Sequence, residues 1–165
     1  MTVPGLEPLY TGTVGDYLGE HRSMTASGSQ PEPNQQEPMI AFVDSSAMVS
    51  LADAGDASHA AAVAAYRELV EGGYLLFTTD MILAETYDLL RAGHGGEAAR
   101  RWLQACRIAV YPVEERDLTR ARQRLLAERT APAYSLADAV SLEVIDRLGV
   151  TDVFAVDQTV LNASP

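Results

Sequence analysis

Ile40-Ala41-Phe42-Val43-Asp44-Ser45-Ser46-Ala47 is the stretch that decides the architecture. Four apolar residues without alternation read as a strand buried on both faces, the habit of a parallel sheet. Asp44 ends the run, and Ser45-Ser46 open helical periodicity that continues through residues 45–54. Val153-Phe154-Ala155-Val156-Asp157 repeats the device near the other end of the chain: an apolar strand that stops on an acid.

Working outward from these two stretches, strand and helix patterns alternate. Helical spacing returns at 57–71, a strand reads at 74–78, and helices follow at about 80–92 and 96–106, divided by Gly93-His94-Gly95-Gly96. A strand at 108–113 precedes a charged helix at 115–129. Pro132 marks a loop, Ser135 caps a helix running to Leu148, and a strand at 152–156 closes the series. Strands separated by helices require crossovers, so the expected class is a three-layer α/β/α domain with a central parallel sheet. No internal repeat is present.

Residues 23–38 are polar and proline-rich and read as a disordered linker. Residues 1–22 carry scattered apolar side chains (Leu6, Leu9, Tyr10, Val14, Tyr17, Leu18) with no sustained period. The expected organisation is a disordered or misassigned N-terminal tail at 1–38 and one globular domain at 39–165. A length of 165 residues and an apolar fraction of 47% suit one domain with a real core. No apolar run approaches a membrane span, and no basic stretch with an apolar core opens the chain as a secretory signal would. A single cysteine, Cys106, fits a cytoplasmic protein without internal disulfides.

The formal charge of −11 argues against a nucleic-acid partner until it is divided along the chain. Residues 1–38 hold one arginine against five acids; residues 39–165 hold eleven against eighteen. Part of the latter excess is a set of acids at strand ends that bound cations would offset. Lysine is absent altogether. That removes P-loop ATPases, whose signature lysine holds the phosphates, together with receiver domains and haloacid-dehalogenase-like phosphatases, which normally set a lysine beside their aspartate.

Four carboxylates remain for chemistry: Asp44, Glu85, Asp138 and Asp157. Parallel strands bring their carboxyl ends to one edge, where open α/β sheets hold ligands. Acids gathered there repel unless a cation neutralises them, and an all-oxygen donor set suits magnesium. His21, His59 and His94 are scattered and form no zinc set. Each acid also has a quieter reading. Asp44 and Asp157 suit caps or turns, Asp138 suits a capping box with Ser135, and Glu85 suits an ion pair with an arginine.

Phe42-Val43-Asp44-Ser45-Ser46-Ala47, Thr79-Asp80-Met81-Ile82-Leu83-Ala84-Glu85-Thr86, Tyr134-Ser135-Leu136-Ala137-Asp138-Ala139 and Phe154-Ala155-Val156-Asp157 follow in an order and spacing that resembles the PIN-domain ribonucleases, in particular toxins of the VapC type. The resemblance spans residues 39 to about 160. It implies a Mg2+- or Mn2+-dependent endoribonuclease, with RNA as substrate, a cognate antitoxin protein as partner and a homodimer as the common assembly. Asp44, Glu85 and Asp138 match the family's three most regular acids and Asp157 the fourth, with Ser45 or Ser46 as the supporting hydroxyl. The alternative is a catalytically degenerate PIN-like module that binds RNA or protein.

Arg116, Arg120 and Arg124 recur at i, i+4 and i+8 on one helix face. They read either as a solvated face paired with Glu114, Glu115 and Glu128 or as phosphate contacts leading to the acids. The alanine-rich stretch from Ala57 to Tyr66 allows close packing, in the core or against a second subunit.

Overall fold

β1 (Ile40–Val43) lies inside a four-stranded sheet with β2 (Leu75–Thr79) on one side and β4 (Asp152–Phe154) on the other; β3 (Ala109–Tyr111) extends the sheet beyond β2. All three pairings are parallel, with Phe42 opposite both Phe77 and Val153. This computed structural model describes residues 39–127 and 134–157. The tail at 1–38, the stretch with Arg129 and Pro132, and the C-terminal residues 158–165 lie outside the described residues.

Among the described residues six helices connect and cover the strands: α1 (Ser45–Ala52), α2 (His59–Glu71), α3 (Asp80–His94), α4 (Gly96–Ala105), α5 (Glu115–Ala127) and α6 (Leu136–Leu148). Side chains start three of them. Asp44 caps α1, Thr79 Oγ1 accepts from Ile82 N at 3.2 Å to cap α3, and Ser135 caps α6. The expected α/β/α architecture is present, with element ends moved. α3 continues through Gly93 to His94 and stops at Gly95, whose φ of 84° closes the helix with a bond to Arg91 O. Both outer strands are shorter than the apolar runs, because an edge strand pairs only where its single neighbour runs beside it.

The core forms where the inner faces of these layers meet. Phe42, Phe77, Met48, Ile82, Val140 and Val144 are all buried, and Phe42 meets Phe77 edge-on at 5.5 Å. α6 is buried from Ala137 through Ile145 except Asp138, which is partly exposed. Such a helix cannot drift, so whatever its first turn carries is held in place. No helix among the described residues is long and apolar enough to cross a membrane.

α5 is fixed to α6 by an ion pair that sequence spacing did not suggest. Arg147, 6% exposed at its side chain, grips Asp117 through two bonds of 2.7 and 2.8 Å. Asp117 also accepts Glu114 N at 3.1 Å, and Arg147 lies over the Tyr111 ring and donates to its hydroxyl at 3.3 Å. Burial pushes the Asp117 carboxyl up, but the Arg147 fork and the Glu114 N–H outweigh it and hold it below the ordinary carboxylate range. Arg147 is correspondingly held above its ordinary value, chiefly by Asp117.

Candidate functional site

Connections leave β1 in opposite senses: forward to β2 on one side, while the chain returns through α5 and α6 to β4 on the other. The gap between β1 and β4 is therefore the switch point of the sheet, where open α/β folds form a crevice. Asp44 closes β1 at this gap, and Asp157 stands three residues beyond β4. Glu85 reaches the same edge from α3, and Asp138 from the first turn of α6.

Asp44 is 2% exposed. Its Oδ2 accepts the Ser46 backbone N–H at 3.1 Å and the Ser46 hydroxyl at 2.6 Å, so the cap reading holds for that oxygen. Among the described residues its buried Oδ1 has no hydrogen-bond partner. Asp138 is divided in the same way: Oδ2 accepts Ser135 N at 2.7 Å and Ser135 Oγ accepts Asp138 N, which completes a capping box. Ser135 then donates to Glu85 Oε1 at 3.1 Å, so Glu85 meets a hydroxyl and not the arginine of its quieter reading. Ser46 resolves the choice between the two serines as support for Asp44. Its hydroxyl also accepts Val156 N at 3.1 Å and Asp157 N at 3.2 Å, tying the β4 exit to the start of α1.

Electrostatics brings the three inner acids into one neighbourhood. Burial raises the Asp44 carboxyl above its ordinary range; the Ser46 bonds oppose this, and the charge of Asp138 adds to it. Burial likewise raises Glu85, with Ser45 and Ser135 hydroxyls opposing and Asp138 and Asp44 reinforcing. Among the described residues no three Asp, Glu, His or Cys side chains stand close enough together to form a finished metal cage. The donor chemistry nevertheless fits a hard cation. Asp44 Oδ1 is a buried anionic oxygen left without a partner, with two like charges beside it, and magnesium sites commonly use one or two carboxylates plus waters.

The family model described as "PIN domain" matches residues 41–160. The chain belongs to the PIN domain family. The "23S rRNA-specific endonuclease VapC20" of Mycobacterium tuberculosis, found in two strains, is 29% identical over 118 residues, which are 70% of this chain and 88% of the relative. A crystal structure of Mycobacterium tuberculosis VapC20, titled a sarcin-ricin loop cleaving toxin, superposes with a TM-score of 0.64 at 27% identity, covering 74% of this chain and 94% of that one.

In this PIN domain Arg116, Arg120 and Arg124 of α5 do not act as one face. Arg124 is engaged by Glu143 at 2.8 Å and Asp146 at 3.2 Å on α6, partners not among the acids expected for it. Arg116 pairs with Glu114 at 2.7 Å, as the quieter reading had it. Arg120 is exposed and has no such partner among the described residues. Arg91 pairs with Asp88, Arg100 and Arg101 approach Glu97, and Arg107 folds back on the Gln104 carbonyl.

Proposed function

We propose that this PIN domain is a metal-dependent endoribonuclease, the toxin of a toxin–antitoxin pair, using Mg2+ with Mn2+ as a substitute and working in the cytoplasm as a homodimer. Its site is Asp44, Glu85 and Asp138, with Asp157 at the rim. The observation that carries the reading is the buried, partnerless Oδ1 of Asp44 crowded by two further acids at the switch edge. Asp44 Oδ1, Glu85 and the outer oxygen of Asp138 would hold the ion. When bound, a divalent cation neutralises the cluster, activates water and offsets phosphate charge.

The chain's own residues supply position. Ser46 fixes the Asp44 carboxylate plane, and Ser135 does the same for Glu85 from α6. The amino ends of α1 and α6 both face this edge, so their dipoles favour anions there. Arg120 and Arg122 are exposed cations of α5 available to an RNA phosphate. A cognate antitoxin would neutralise the enzyme by covering this edge.

The test compares wild type with Asp44→Asn on RNA, with and without Mg2+, using 23S rRNA first because VapC20 is named for it. Metal-dependent cleavage by wild type alone supports the assignment, and equal cleavage by both ends it. Metal binding without cleavage by wild type marks the degenerate alternative.

A further inference from the structure

Thr78 and Thr79 end β2 with two hydroxyl side chains that are both fully buried. Successive side chains of a strand point to opposite faces, so the two serve different partners. Thr79 Oγ1 accepts Ile82 N at the start of α3. Thr78 Oγ1 donates across the sheet to the carbonyl of Val43 at 2.8 Å. Val43 is the last residue of β1, so this carbonyl belongs to the peptide that leads into Asp44. The N–H of the same peptide, on Asp44, donates to Phe154 O of β4 at 3.0 Å.

A trans peptide points its C=O and N–H in opposite directions, and this one is therefore held from both sides. β2 holds it through a side chain and β4 through the backbone. The paired register of β1 with β2 ends at Phe42 opposite Phe77, so the Thr78 hydroxyl adds an attachment beyond that pair. With Ser46 on Oδ2, Asp44 is fixed by three different elements. Glu85 is served by the other member of the pair. It follows Ile82, whose N–H is taken by Thr79 and whose carbonyl accepts the buried Thr86 hydroxyl at 2.8 Å. One dipeptide at the end of β2 thus ties down the supports of two acids.

We infer that Thr78 is a positioning residue of the ion site, setting Asp44 Oδ1 relative to Glu85 through the Val43–Asp44 peptide. This rests on the metal-site reading of Asp44 and Glu85 proposed above. Mg2+ demands near-ideal octahedral geometry, whereas Ca2+ accepts a flexible shell of oxygens. A loosened Asp44 therefore costs Mg2+ affinity first. Groups that orient a metal ligand are typically worth about tenfold to a hundredfold in affinity. Thr78 acts through the backbone and not on the carboxylate itself, so the lower end of that range applies.

Calorimetric titration of the full chain with MgCl2 and with CaCl2 tests this on wild type, Thr78→Val and Thr78→Ser. Valine keeps the branched shape and loses the hydroxyl; serine keeps the hydroxyl. Thr78→Val should bind Mg2+ about tenfold more weakly and Ca2+ less than about threefold more weakly, and Thr78→Ser should recover most of the Mg2+ affinity. In EDTA, amide exchange at Asp44 and Ser46 should quicken about fivefold in Thr78→Val, with Ala41 and Phe42 unchanged. Equal Mg2+ affinity in Thr78→Val and wild type overturns the inference. So does a loss shared alike by Mg2+ and Ca2+, or quickening that extends to Ala41 and Phe42, since either marks the hydroxyl as a support of the fold alone. Failure of serine to restore the affinity overturns it too. A wild type that takes up neither ion refutes the metal-site reading itself, and the role of Thr78 falls with it.

Discussion

Replacing Asp44 by asparagine should make the metal-free protein more stable and the metal-loaded protein less so. Asp44 Oδ2 has its two Ser46 bonds, which an asparagine carbonyl oxygen can accept in the same place. The other oxygen is buried, charged and unpartnered, with Glu85 and Asp138 nearby. An unsatisfied buried polar group costs about 1–3 kcal/mol, and more when charged. The amide removes the charge and offers donors toward two carboxylates, so a gain of about 1–2 kcal/mol in chelator is expected. At about 4 °C per kcal/mol for a domain of this size, that is a rise of roughly 4–8 °C in Tm.

Thermal unfolding in EDTA and then in excess Mg2+ separates the two effects. At a hundredfold excess over Kd, wild type should gain about 2.7 kcal/mol from the ion, and Asp44→Asn only a small part of it, so the two curves exchange order. The pH dependence carries a definite sign. A carboxyl raised in the folded chain keeps protons that the unfolded chain has released, so its contribution to metal-free stability falls as pH rises through the raised value. The gap between variant and wild type should be small near pH ~4, where Asp is ordinarily half-protonated, and open as pH increases. An asparagine variant that melts below wild type in EDTA, or an equal Mg2+ gain for both proteins, would refute the reasoning.

Asp117→Asn breaks the buried fork with Arg147 and should cost about 3–5 kcal/mol, read as a lower urea midpoint. Because Asp117 is held low, its contribution is present at neutral pH and fades as pH falls through the depressed value; the wild-type curve should lose this component in acid and the variant should not. Ser46→Ala should reduce cleavage about tenfold to a hundredfold, with Ser46→Thr restoring most of it; an unchanged rate removes Ser46 from the support of Asp44. Arg120→Gln should lower the slope of log affinity for RNA against log salt by about 1 while leaving Tm unchanged, whereas Arg124→Gln should lower stability by about 1 kcal/mol and leave the slope alone. The reverse pattern would place Arg124 at the RNA.

Local signals carried β1, the caps and the shared edge into view, because each depends on neighbours in the chain. Ile40 to Val43 must be a buried strand, Ser135 must start a helix three residues before Asp138, and parallel crossovers then bring strand ends together. Long-range partners were out of reach for the same reason. Nothing in the spacing pairs Arg147 with Asp117, thirty positions apart, or turns Arg124 from the solvated row toward Glu143. An i, i+4, i+8 row shows which side chains share a helix face, and the next helix decides whether that face is wet. α6 packs on α5, so the row divides between Arg124 inside and Arg120 outside.

On the proposed reading, cap and ligand are two halves of one arrangement. Asp44 and Asp138 each commit Oδ2 to the first turn of a helix, which fixes the carboxylate plane by short bonds to the next residues or to the cap residue. The second oxygen is then aimed by a rigid element, and that of Asp44, buried without a hydrogen-bond partner among the described residues, has no bond to give up before it meets a cation. A freely rotating carboxylate would lose side-chain entropy on binding, and these two have already lost it on folding. The cost appears as the raised carboxyls of Asp44 and Glu85, and it is recovered only when positive charge arrives. On that reading the bonds that start α1 and α6 are also the ones that poise the site for its ion.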